Sequence, residues 1–173
     1  MFSVYRDNDM RHLIFVMIFG TPNPVAAAIR HAFAEARPNL LGAAEVMPDS
    51  GYRYRPTPKQ MRFGEIVLHV AESNDWACGI IGGVKPPKHE PLASTAGKPE
   101  LVARLRESFD FCQAALAGLT DDRLDEIVWR FPNDSMTRAR AIVGVAGDWE
   151  DHYAAMAIYL RLNNVLPPTA RHS

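Results

Sequence analysis

Residues 142–164, IVGVAGDWEDHYAAMAIYLRLNN, constrain the fold more than any other stretch of this chain. At ~100° per residue, an α-helix places Ile142, Val145, Ala146, Trp149, Met156 and Leu160 on one side. A helix with one apolar side must bury that side against other elements, so this run needs partners from the rest of the chain. Asp148 and His152 fall at the edge of the stripe. Being four apart, they sit one above the other. A carboxylate and an imidazole at that spacing, half turned toward a core, can offer metal ligands from a bundle helix. The plainer reading is a hydrogen-bonded core histidine beside a solvated or paired acid, and spacing alone leaves both open.

The same periodicity recurs in three other stretches. Asn23-Pro24 opens a helix over 24–47, with Asn at the N-cap and Pro at the first helical position. Val25, Ile29 and Phe33 start its stripe, which Leu40, Leu41, Ala44 and Met47 extend. Pro38 lies inside the pattern and predicts a kink or break near residues 34–37. The second helix, over 63–82, turns Phe63, Ile66, Val67, Val70, Asn74 and Ala77 inward and Glu65, Glu72 and Asp75 outward, with His69 at the stripe's edge. Gly82-Gly83 stops it. The third, over 100–119, carries Leu101, Leu105, Phe109, Cys112, Ala115 and Leu116 on one face. Thr120-Asp121-Asp122 predicts the cap of a short further segment with Leu124, Ile127 and Val128 as its apolar side. With the last helix at 137–164 and no strand alternation, the chain reads as all-α, an antiparallel four-helix bundle. Residues 83–99, rich in Pro, Gly and Lys, form its one long connection.

Composition narrows the function classes. The 173 residues suit a single domain, and 19 basic against 20 acidic side chains argue against a nucleic-acid surface. No apolar run reaches the ~18 residues of a membrane span. Cys78 and Cys112 lie inside helical patterns and read as reduced, packed thiols. Residues 13–19, LIFVMIF, read as a buried N-terminal segment of a cytoplasmic protein. The alternative is the apolar part of a signal peptide, which would make the protein secreted or periplasmic. This block and Leu68, opposite the inward stripe of the second helix, lead us to expect a homodimer. His12, His31, His89 and His172 lack partners at ligand spacing. Trp76 and Trp149 read as packing residues, and Lys85 and Lys88 as a small basic loop.

Three pieces of sequence, NPVAAAIRHAFAEARPNLLGAAEVMP, YRYRPTP with MRFGEIVLHVAESN, and DWEDHYAAMAIYLRLNNVLPP, together resemble the DinB/YfiT-like superfamily of metal-binding four-helix bundles. The resemblance covers residues 23–168, taken as the bundle domain, with 1–22 a separate segment and 169–173 a tail. It implies one histidine ligand on the second helix and two ligands four apart on the last. These positions hold His69, Asp148 and His152. The family most often has histidine where this chain has Asp148, and Ser or Thr where it has Arg62. Two imidazoles and a carboxylate suit a divalent metal, zinc or nickel first, with a position left open. The resemblance implies metal-dependent transferases or isomerases acting with a low-molecular-weight thiol, or hydrolases. A non-catalytic binding or stress-associated scaffold with a degraded site is the alternative. Tyr159 and Asn74 are further candidates to line the pocket.

Overall fold

The computed structural model describes residues 23–93 and 95–171, which leaves the apolar block at 13–19, His12 and His172 outside the described residues. Four helices carry the chain: α1 (Pro24–Val46), α2 (Phe63–Gly82), α3 (Lys98–Ala117) and α4 (Arg138–Leu162). Most positions of the expected stripes are buried, Val25 at the start of α1 being exposed. Ile29, Phe33, Leu40, Phe63, Leu101, Phe109, Trp149, Met156 and Leu160 meet in one core. Its centre is aromatic, with Phe33 set 5.9 Å from Phe109 and 5.8 Å from Trp149.

Longitudinal order follows from contacts at the helix ends. Arg138, opening α4, reaches the last carbonyls of α2, while the Tyr159 hydroxyl near the end of α4 donates to Met61 O, just before α2, at 2.8 Å. These two helices are therefore antiparallel. A Cβ on Gly64 would meet Leu101 and one on Gly82 would lie 2.5 Å from Ala115 O, so α2 and α3 run side by side in the same direction. Returning from the end of α2 to the start of α3 means travelling ~30 Å, the length of a 20-residue helix, and an extended chain needs at least about nine residues for that. The long connection is thus a topological requirement. His89 in it lies 3.4 Å from Asp75, which ties the loop to the α2–α3 seam.

Several expectations are corrected by long-range pairing. Asp75 does not face out: it is buried against Arg104, with burial pushing its carboxyl above the usual range and Arg104 pulling it back. Leu68 is 7% exposed, so one of the two observations behind the homodimer expectation falls away, and the other, the apolar block at 13–19, lies outside the described residues. The cause in both cases is that α2 packs against α3 on one side and α4 on another, burying thirteen of its residues. Pro38 stays inside an unbroken α1, because Leu40, Ala43 and Ala44 beyond it are fully buried and outweigh one lost backbone bond. Asn23 does not cap α1 but takes a left-handed φ of 66°. Asp121 does the capping, accepting from Val25 N–H and Ala26 N–H at 2.9 and 2.8 Å, while its own N–H donates to Asn23 Oδ1. A carboxylate there satisfies two unpaired donors at the positive end of the helix.

The segment after Asp121 is not a helix. A single turn gives way to a hairpin of β1 (Ile127–Phe131) and β2 (Asp134–Thr137), paired antiparallel with Ile127 opposite Thr137 and Trp129 opposite Ser135. Pro132-Asn133 makes the turn, Asn133 adopting φ 70°. Cys78 and Cys112 are likewise not free thiols. They sit on facing stripes of the parallel helices α2 and α3 with Cα atoms 5.1 Å apart, and they are joined as a disulfide.

Arg138 holds the hairpin end of the bundle together. Its side chain is nearly fully buried and donates to Ile80 O (2.9 Å), Ile81 O, Arg123 O (3.2 Å) and the Glu126 carboxylate (2.5 Å). A cation over the free carbonyls at the end of α2 meets the negative end of that helix. Arg123 and Arg138 together hold the Glu126 carboxyl down at about 2.

Two measurements follow. The disulfide closes a loop of 34 residues, and chain entropy sets its contribution at ~3–4 kcal/mol. The unfolded, non-reduced protein should therefore show no thiol reactive to maleimide, and a Cys78→Ala/Cys112→Ala variant should unfold at lower urea by about that amount. Glu126, depressed in the folded state, contributes stability that is complete above the unfolded value near 4.5 and is lost as pH falls through about 2. Acid titrations followed by circular dichroism should accordingly show a shallower loss of stability between those values for Glu126→Gln than for the native chain.

Candidate metal centre

His69 stands on the second turn of α2, and Asp148 and His152 stand one turn apart in the middle of α4. The antiparallel register fixed by Arg138 at one end and Tyr159 at the other brings them to the same level. Rotation is fixed as well. Trp149, next to Asp148, donates its indole N–H to Asn74 Oδ1 at 2.7 Å, and the Asn74 amide donates to Ser108 Oγ at 3.0 Å. With the indole locked into the core, the neighbouring Asp148 is turned to the edge of α4, facing α2.

All three residues are half-buried, and each offers a ligand atom within 4.8 Å of the others. The His69 and His152 rings lie 4.8 Å apart, centre to centre, at 61°. His152 Nε2 is 3.6 Å from Asp148 Oδ1. That is too long for a hydrogen bond, and Nε2 is buried with no hydrogen-bond partner among the described residues. Two donors at ~2.1 Å from one tetrahedral ion stand roughly 3.4 Å apart, so the histidine–aspartate spacing already suits a shared ion and the widest separation closes with small rotamer changes. Asp151 lies 3.6 Å from the other ring nitrogen of His152, where second carboxylates commonly orient a ligand histidine. The set fits zinc, nickel or iron in donor chemistry.

The triad opens into a cleft of about 640 Å³ between α2, α4 and the hairpin. His69 and Asp148 line one end, and Glu72, Trp76, Phe131 and Arg140 lie along it. The sequence reading turned Glu72 outward, took Trp76 for a packing residue and did not single out Phe131 or Arg140, although Glu72 and Trp76 follow His69 at three and seven residues and so share its face. Tyr159 and Asn74 prove to be buried in the core, away from the cleft. His31 is exposed beside Glu35, and Cys112 is taken up in the disulfide. The N-terminal corner of α2 keeps half of a capping box, with Arg62 N–H donating to Glu65 Oε2 at 2.6 Å. No helix among the described residues is long and apolar enough to cross a membrane.

No curated protein matches the chain in sequence. Among solved structures, a DinB-like protein from Bacillus subtilis is similar with a TM-score of 0.65 and 19% identity, covering 79% of this chain and 92% of that one. Another DinB-like protein, from Bacillus cereus, gives 0.67 and 14% over 82% and 95%. A variant of the mycothiol-dependent maleylpyruvate isomerase gives 0.60 and 10% over 75% and 59%. At such identities the likeness concerns the fold alone. The sequence of residues 32–156 matches the DinB superfamily. That match spans well over half of the protein, which therefore belongs to the DinB superfamily.

Proposed function

We propose that this protein is a divalent-metal-dependent enzyme, a transferase acting with a small thiol or a hydrolase, with His69, Asp148 and His152 as the protein ligands. The observation that carries the reading is His152 Nε2, buried and without a hydrogen-bond partner among the described residues, set among two other donors at the end of a cleft. A buried polar nitrogen left unpaired costs on the order of 1–3 kcal/mol, and a shared cation removes that cost. Three protein donors leave room for an external ligand, so a bound zinc or nickel ion would supply Lewis acidity to a thiol, a water or a carbonyl. Glu72 lies on the cleft three residues beyond His69 and can hold or move a proton at the reacting group. The thiol preference draws on likeness to the mycothiol-dependent isomerase. The buried disulfide favours an oxidising compartment, the exported alternative.

The second reading is a scaffold with a weakened site, and the observation on its side is that the Asp148 side chain is 32% exposed, solvated enough to stand alone. Calorimetric titration of the metal-stripped protein with zinc and with nickel separates the two. The enzyme reading expects one ion per chain, a loss on the order of 100-fold or more in affinity for His152→Ala, and equal or tighter binding for Asp148→His. If no ion binds, or if Asp148→Ala and Asp148→His both bind as the native chain does, Asp148 is not a ligand and the scaffold reading stands.

A further inference from the structure

The cleft is longer than the metal centre requires, and its two ends differ in chemistry. From His69, α2 runs seven residues to Trp76, and from Asp148, α4 runs back eight residues to Arg140, a span of roughly 10–12 Å. Both helices thus present a second set of groups well removed from the triad. Phe131 of the hairpin lies face to face with Trp76, ring centres 6.4 Å apart and planes 14° from parallel. Yet 57% of Phe131 is exposed, leaving apolar ring surface open at the cleft. Ile80 and Met136 add apolar surface beside it, and Gly144 leaves the middle of the cleft without a side chain. Charge divides along the same axis. Glu72 and Asp148 make the triad end acidic, while among the described residues Arg140 is the sole lysine or arginine lining the cleft.

We infer that the cleft takes an elongated small molecule with a flat apolar body and a terminal carboxylate, the body lying against Trp76 and Phe131 and the carboxylate paired with Arg140. A guanidinium matches a carboxylate with two parallel hydrogen bonds, and a neighbouring aromatic wall strengthens the pair by limiting water. The opposite, reacting end of the molecule then points toward His69, Asp148 and His152. That last statement rests on the metal-dependent reading; the pairing with Arg140 does not.

Calorimetry with 4-phenylbutanoate and its neutral amide tests the inference on the zinc-loaded full chain and on its Arg140→Gln, Arg140→Lys and His152→Ala variants. Zinc content and circular dichroism are recorded on each sample. The carboxylate should bind about tenfold more tightly than the amide. That preference should disappear in Arg140→Gln, survive in part in Arg140→Lys and persist in His152→Ala. Equal binding of the two probes, or no binding of either, overturns the inference. So does a preference that survives Arg140→Gln and vanishes in His152→Ala, since the carboxylate would then sit on the metal. A preference for the carboxylate in a chain that takes up no zinc would sink the metal reading and leave this one standing. Zinc uptake without the preference does the reverse.

Discussion

The buried guanidinium of Arg138 sets the relation on which the candidate metal centre depends. It closes the free carbonyls at the end of α2 and bridges them to Glu126 and the backbone at Arg123. One side chain thereby joins the end of the helix that carries His69 to the beginning of the helix that carries Asp148 and His152. A shift of α4 along α2 by a single turn, ~5.4 Å, would exceed the 4.8 Å that now contains all three donors. The Tyr159 hydroxyl on Met61 fixes the far end, so slippage would break polar contacts at both ends at once. Nothing about Arg138 is chemical in the catalytic sense, but the site cannot form without the register it imposes.

Rotation of α4 is held by different means. The Trp149–Asn74–Ser108 chain of hydrogen bonds runs through the core from α4 to α2 to α3. A buried network of this kind is costly when half made and rigid when complete. Here it aims a residue that it does not contain, because Asp148 precedes Trp149 and must face the cleft if the indole faces the core. The candidate metal centre and the core are thus parts of one arrangement rather than a site laid on a finished bundle.

What could be read from the sequence was what is local. Each helix shows its apolar stripe within its own twenty-odd residues, and the observed ends lie within two residues of those expected. Stripe edges and the one-turn spacing only made His69, Asp148 and His152 candidates; the resemblance to the family singled them out together, and the structure brings the three within reach of one another. The features that escaped are pairings between distant positions. Asp121 caps a helix that begins nearly a hundred residues earlier, Asp75 finds Arg104 on another helix, and Cys78 finds Cys112 only because α2 and α3 run parallel. The hairpin escaped for another reason. Five residues of β1 are too few for alternation to stand out, although IVWRF is rich in the β-branched and aromatic types that strands favour.

Gly144 carries a consequence of its own. It borders the cleft, and a Cβ there would meet nothing within 4 Å among the described residues. A glycine inside a helix forgoes roughly 0.5–1 kcal/mol relative to alanine. Alanine would restore that stability while projecting a methyl group into the space above the aromatic wall, and larger residues would project further. Helix strength and room for a ligand are opposed at this one residue, and no core contact is engaged by either choice. The position is an adjustable aperture: related chains can diverge in what they admit by changing a single side chain while the bundle beneath stays as it is.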